Sequence, residues 1–392
     1  MALPMLAAFE GGASPARADW RVGGTAGGRP VTPAVTLSAA GELTLGDQTK
    51  IPAGEWHALR RAGAPLKEPA AGPVVMFTNG DRLCGRLIDS DGTTARVRPA
   101  FADQAGPAVT IPLSAVAAYA ARAPADDEVA DFHAKPRTRD VIVNRRGDRL
   151  LGSVASVDSA GFHVQDGAKA TLTNHSAVAA VWFNTDLARV RKPKGRYYRV
   201  SLADGTRWAV AGVSWDESTV RLTTFGKETA TVPLAELTAV DVEQGPAVFL
   251  SDLKPTKEQY QPFDGETRTW QADRNALGRP LRLAESGGES TYGRGMGLSG
   301  GMTLTYDLAG KYKRFEATAG MDVRYGKRGD VTLRIVKDGQ AADLPNGGRV
   351  GQTPTDLGLD VTGCKTLTIT VERGRRPGVE EMLNLANAKL IP

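Results

Sequence analysis

Apolar and polar residues alternate along most of the chain, and the period of two predicts short β-strands broken by Gly, Asp and Asn turns. Three segments share one pattern. In the first, Val74-Val-Met-Phe runs into Asn79-Gly80, a long strand follows through Leu83 and Leu87, and shorter strands lie near Val97 and over Val109-Thr-Ile-Pro. Val141-Ile-Val, Gly147, Gly161-Phe-His-Val and Ala170-Thr-Leu-Thr repeat that order, as do Tyr198-Arg-Val, Asp204-Gly205, Thr219-Val-Arg-Leu and Ala230-Thr-Val-Pro. A weaker copy precedes them, with Ile51-Pro52 in the place of Ile111-Pro112 and Val232-Pro233. Asn-Gly and Asp-Gly suit hairpins that need positive φ. Helix is nearly absent, with one or two turns predicted over Ala115–Arg122 and again over Asp252–Glu258.

From about Pro246 the strands lengthen. Gly293 to Ile335 holds three alternating strands in a row, and Leu357-Gly-Leu-Asp, Thr366-Leu-Thr-Ile-Thr-Val and Leu383-Asn-Leu-Ala follow. About eight strands in this last part predict a jelly-roll β-sandwich. The expected fold class is all-β, a string of small barrel-like modules followed by a sandwich. The expected boundaries are a leader over 1–18, a weak β module over 19–65, repeats over 72–122, 138–185 and 196–245, and the sandwich over 247–392.

Composition agrees with this picture. In 392 residues, 41% are apolar, enough for real cores, and 45 Gly and 23 Pro fall at turns. Basic and acidic residues nearly cancel, 49 against 44, so no clustered basic stripe argues for nucleic acid. The most basic run, Arg189 to Arg196, reads as a solvated connector. Met1 to Ala18 has a short apolar stretch and ends in Ala-Arg-Ala, the small-x-small pattern of an export signal. No other stretch approaches the roughly 18 apolar residues of a membrane span. The expected location is therefore secreted, or the periplasm or cell envelope.

Chemistry-bearing clusters are few. His57, His133, His163 and His175 lack metal-ligand spacing, although His163 and His175 are placed to approach each other across a hairpin. Cys84 and Cys364 read as separate buried thiols. The Gly293-x-Gly-x-Gly segment does not join a strand to a helix and is no phosphate loop. Asp322 with Asp330, or Glu380 with Glu381, would be the acid pairs of a glycosidase, but nothing sets them across a cleft. Asp322 reads instead as a turn brace or a ligand of a structural cation.

Two resemblances add to this reading. Gly80-Asp81-Arg82-Leu83-Cys84-Gly85 and Gly147-Asp148-Arg149-Leu150-Leu151-Gly152 loosely resemble the turn of SH3-like and Sm-like small barrels. Residues 247–392 resemble the NPCBM family of carbohydrate-binding modules, a galactose-binding-like β-sandwich, as found in planctomycete secreted proteins. The likeness rests on Tyr292-Gly-Arg-Gly-Met-Gly-Leu, Leu304-Thr-Tyr-Asp-Leu, Phe315-Glu-Ala-Thr-Ala-Gly-Met-Asp322, Val331-Thr-Leu-Arg-Ile and Ala386-Asn-Ala-Lys-Leu. Where that family commonly has His after Gly-x-Gly this chain has Ser299-Gly300-Gly301. Its Trp-Ala-Asp is Leu385-Ala386-Asn387 here, and its Asp-His is Glu381-Met382.

The resemblance implies a non-enzymatic protein that binds a glycan or a glycosylated surface, needs no cofactor and admits a structural Ca²⁺. Sugar recognition wants an aromatic face and hydrogen-bonding groups. Trp270, Arg274, Tyr292, Arg294, Asp322, Arg324 and Tyr325 are the expected ligand-binding residues in the loops of one sandwich end. The alternative is a structural or adhesive envelope protein whose modules contact an envelope protein partner.

Overall fold

The computed structural model describes residues 19–25, 31–102, 107–125, 128, 136–187, 193–263, 265–375, 377–378 and 380–392. The leader, His133 and the first half of the Arg189–Arg196 run lie outside them.

The repeat is present in four copies. The second runs Val74–Phe77, Arg82–Ser90, Thr94–Pro99, Val109–Pro112, a 3-10 turn over Leu113–Ala115, and Val116–Ala120. The third and fourth keep the order, each with a 3-10 turn before its last strand, at His175–Ala177 and Leu234–Glu236. The first is shorter, from Trp20–Gly24 to Trp56–Arg61. Pro112 and Pro233 cap two of the 3-10 turns at φ −63° and −57°, where their missing N–H ends the ladder. The long second strand passes from one partner strand to the next at Gly85 and Gly152. A Cβ there would lie 2.5 Å from the Arg98 carbonyl or 2.9 Å from that of Gln165, so only glycine lets the strands pass.

The copies are not separate beads. Most of their strands join one 16-stranded sheet in the spatial order third, second, fourth, first, while Val35–Leu37, Leu43–Leu45 and Lys50–Ile51 of the first and Gly212–Trp215, Thr219–Thr223 and Thr229–Pro233 of the fourth form a second, six-stranded sheet. Last strands pair antiparallel with last strands: Val116–Ala120 lies against Val178–Trp182, and Leu237–Glu243 against Trp56–Arg61. Edges that would be exposed in an isolated copy are thereby covered. One hydrophobic core, with Trp56, Leu83, Phe162 and Leu222 fully buried, runs through all four. The expected helical turns over Ala115–Arg122 are a strand with only three 3-10 residues before it. Alanines favour helix locally, yet here Ala117, Ala118 and Ala120 pack against Val74 and Met76 of the adjacent strand. Asp252–Glu258 likewise holds the end of a 3-10 turn over Leu250–Asp252 and the start of a strand over Lys257–Tyr260.

The C-terminal part is a two-sheet sandwich. One sheet orders Gln271–Ala272, Gly295–Ser299, Met382–Ile391, Arg314–Met321 and Thr355–Asp360. The other orders Lys257–Tyr260, Met302–Asp307, Thr366–Arg373, Val331–Lys337 and Gln340–Ala341. The strands between Gly293 and Ile335 alternate between the two sheets, and their inward side chains, among them Met296, Leu304, Phe315 and Ile335, fill the space between. A separate hairpin, Leu281–Glu285 with Gly288–Tyr292, covers part of the first sheet's outer face.

That outer face is turned toward the repeats. Leu66 and Ala239 of the repeat region pack with Leu281, Leu283, Tyr292 and Ala386. Leu66 donates its amide to Ser290 Oγ and accepts from the Thr291 amide.

Candidate functional site

The seven expected ligand-binding residues do not share one cleft. Trp270 is half-buried against the sandwich core. Asp322 is fully buried. Its Oδ2 accepts from Asn275 Nδ2 at 3.0 Å and Asn384 Nδ2 at 2.9 Å, and its Oδ1 accepts the amides of Arg324 and Tyr325. It therefore braces the turn after Met321, and all four bonds come from protein. Among the described residues no group of three or more His, Cys, Asp or Glu is placed to hold a metal ion. Arg324 ties the same turn to the covering hairpin through Glu289 at 2.9 Å, and Tyr325 is half-buried beside it.

Arg274, Tyr292 and Arg294 line a cavity of about 200 Å³ between the sandwich and the second and fourth repeats. Arg294 pairs with Asp273 at 2.6 Å, with Asp252, and at 4.0 Å with Glu243. Glu243 in turn meets Arg199 at 2.5 Å, and Arg199 meets Asp81 at 2.9 Å. This chain of charges links strands from three parts of the sequence. Burial works against the Arg199 cation, but Asp81 and Glu243 outweigh it and hold its pKa above the ordinary range. Tyr292 donates to Glu285. Burial and that carboxylate raise its hydroxyl pKa well above the usual value, so Tyr292 stays a neutral donor. Arg294 and Tyr292 are thus engaged by protein partners.

A second set of contacts crosses the same junction. Arg282, fully buried, pairs with Glu68 and, at 3.0 Å, with Glu289. His57 Nδ1 lies 2.9 Å from Lys389 Nζ, and His57 Nε2 lies 3.6 Å from Glu316. Lys389 can only donate, so Nδ1 of His57 accepts and Nε2 carries the proton facing the Glu316 carboxylate. These three line a cleft of about 620 Å³ between the first repeat and the sandwich. His163 and His175 do come together, both on the Asp158 turn: His163 Nε2 reaches Asp158 Oδ2 at 2.8 Å and His175 Nε2 its carbonyl at 2.7 Å.

At the end of the sandwich where Ser299 meets Met382 across the ladder, the arrangement differs. Glu381 is buried and accepts from Arg373 at 2.6 Å and from the amides of Gly374 and Gly378. Arg373 also donates to the Gln261 carbonyl, and its guanidinium lies 5.6 Å from the Phe263 ring centre. Gly378 approaches that ring so closely that a Cβ would fall 2.4 Å from it. Phe263 itself is 60% exposed. An exposed aromatic held by an ion pair and close glycines is a ready stacking platform. Sequence reasoning missed Phe263, although an aromatic inside the polar run Gln261-Pro-Phe-Asp-Gly was a usable signal.

Comparison with known proteins bears on the C-terminal part. Residues 247–391 match the family described as NPCBM/NEW2 domain. Similar solved structures include the CBM51 module of the Clostridium perfringens GH95 protein in complex with methyl-galactose. It is 21% identical, at TM-score 0.33, over 37% of this chain and 99% of that one. Another is CBM51-2 with GlcNAc and INT domains of C. perfringens ZmpB, 17% identical at TM-score 0.34, covering 49% of this chain and 38% of that one. A third is the tandem CBM51 modules of the family 98 glycoside hydrolase from Streptococcus pneumoniae SP3-BS71. It is 14% identical at TM-score 0.33, over 50% of this chain and 70% of that one. No curated protein matches the chain in sequence. With its two sheets and that family match over their whole length, the segment from 247 to 391 is an NPCBM domain, a module of the carbohydrate-binding type.

Proposed function

We propose that this protein binds glycan without turning it over, that it does so outside the cell or in the envelope, and that the sugar stacks on Phe263. The observation that carries the reading is the 60% exposed Phe263 ring on a fixed rim of an NPCBM domain. The export-like leader supports the location. Arg373, itself held by Glu381 and the Gln261 carbonyl, lies over the ring, so little side-chain entropy is lost on binding. A single shallow sugar site of this kind binds weakly, on the order of mM.

A glycan array probed with the full chain, with hits followed by calorimetric titration, tests this. Phe263→Ala should remove binding while moving the thermal midpoint little, since the residue is largely exposed. Binding that persists in Phe263→Ala, or no glycan bound by the wild type, overturns it. The second reading, an adhesive envelope protein, is favoured by the exposed Leu151 and Leu172 of the third repeat and Leu187 just after it. Glycan retention unchanged by Phe263→Ala, together with pull-down of an envelope protein that is lost in Leu151→Ser and Leu172→Ser, would favour that reading.

A further inference from the structure

The junction cavity carries more positive charge than its own carboxylates answer. Five arginines face it, Arg82, Arg199, Arg207, Arg274 and Arg294, against Glu68, Asp81 and Asp273. The three carboxylates are already engaged, and Glu243 and Asp252, outside the lining, answer Arg199 and Arg294. Glu68 holds Arg282 and Arg82, and Asp81 accepts from Arg199 and from the Ala209 amide. Asp273 accepts from Arg294 and the Gly295 amide.

Two guanidinium groups are left over. Arg274 gives Nη1 to the Gly278 carbonyl at 3.3 Å. Arg207 gives Nη2 to the Gly80 carbonyl at 2.9 Å, and Asp81 stands 3.9 Å from its Nε, beyond hydrogen-bond reach. Its Nε and Nη1 are buried and have no hydrogen-bond partner. Gly293 leaves the room for this, since a Cβ there would lie 2.6 Å from Nη1. Burial, with Arg82 beside it, lowers the Arg207 pKa from its ordinary value. A buried cation with unanswered donors is costly unless an acceptor arrives.

We propose that the cavity between the second and fourth repeats and the sandwich binds one small oxyanion, a carboxylate or sulfate, through Arg207 and Arg274. Planar guanidinium donors match the paired oxygens of either group. The volume of about 200 Å³ equals roughly seven waters, room for an inorganic anion or the acidic end of one sugar. The site lies apart from the Phe263 rim, so it does not depend on the glycan reading.

Titration calorimetry and thermal melts of the full chain with sulfate, glucuronate and glucose test this. Sulfate and glucuronate should both bind saturably, one per chain, and raise the midpoint with the logarithm of concentration, while glucose does not. Glucuronate tighter than sulfate by about tenfold or more identifies an acidic sugar, and equal affinities identify a free oxyanion; either supports the site. Arg207→Met should lose the saturable binding and, without anion, melt no lower than wild type, because an unanswered charge is gone. If Arg207→Met does not fold, Arg274→Gln carries the test through an affinity loss of about tenfold. No saturable binding of either anion, or binding unchanged in both variants, overturns the proposal. Comparing sulfate in wild type with sulfate in the variants separates site binding from the general stabilising effect of that salt.

Discussion

The two outer faces of the sandwich place polar side chains at alternate positions and use them differently. On the sheet carrying Met302–Asp307 and Thr366–Arg373, Thr303 bonds Thr370 at 3.2 Å and Thr305 bonds Thr368 at 3.0 Å, a partly exposed ladder. Arg334 and Glu372 lie farther out in solvent, 3.8 Å apart. On the other sheet the outward positions are Glu316, Asn384 and Lys389, all buried, with Arg282 of the covering hairpin over them. Asn384 is held within the sandwich by Asp322 and the Arg282 carbonyl, but Lys389 and Glu316 meet His57 of the first repeat and Arg282 meets Glu68 beside it. Polar alternation alone therefore does not say which face meets water. What decides it is whether the charged groups find fixed counter-charges, since a buried charge is tolerated only when paired.

The difference can be broken from the docked side. Arg282→Ala removes the buried cation that Glu68 and Glu289 share, leaving them only Arg82 and Arg324, and should cost about 3 kcal/mol, read as a lower urea midpoint of the full chain.

A middle-sized effect comes from Cys84, buried where the second and fourth repeats meet and donating to the Asp204 carbonyl at 3.3 Å. Burial, then the nearby Asp204, pushes its pKa from 9.0 up to about 11. The folded thiol holds its proton where the unfolded one has lost it. This contribution, on the order of 2 kcal/mol, is therefore whole below pH 9 and is lost as pH rises toward 11. Urea midpoints from pH 8 to 11 should fall in wild type and fall less in Cys84→Ala.

The smallest effect is expected on the solvated face. Thr305→Ala and Thr368→Ala should each change stability by no more than about 0.5 kcal/mol. A larger loss there would mean that this face, too, is covered.

The same contrast explains what the sequence made legible. Val331–Lys337 and Thr366–Arg373 bury every second residue, so their period of two is plain. The repeat was also legible in its second, third and fourth copies, because Gly80, Gly147 and Gly205 all sit in turns at φ 82°, 88° and 94°. Gly295–Ser299 and Leu237–Glu243 are buried throughout, and nothing local in them announces the cover. The polar contacts across the junction join residues far apart: Arg60 pairs with Asp241 across 181 positions, and Lys389 donates to His57 across 332. For the same reason Arg294 and Tyr292 read as loop residues able to meet a sugar, when their partners are Asp273, Asp252 and Glu285. Phe263 went unmarked because a lone aromatic in a polar loop has no period.

The most direct measurement of whether the charged sheet face is an internal interface is differential scanning calorimetry of the full chain, with Arg282→Ala beside it. A docked sandwich should unfold with the repeats in one cooperative transition, its calorimetric and van't Hoff enthalpies equal, and Arg282→Ala should split or broaden it. Two independent transitions in wild type, with Arg282→Ala shifting neither, would contradict it.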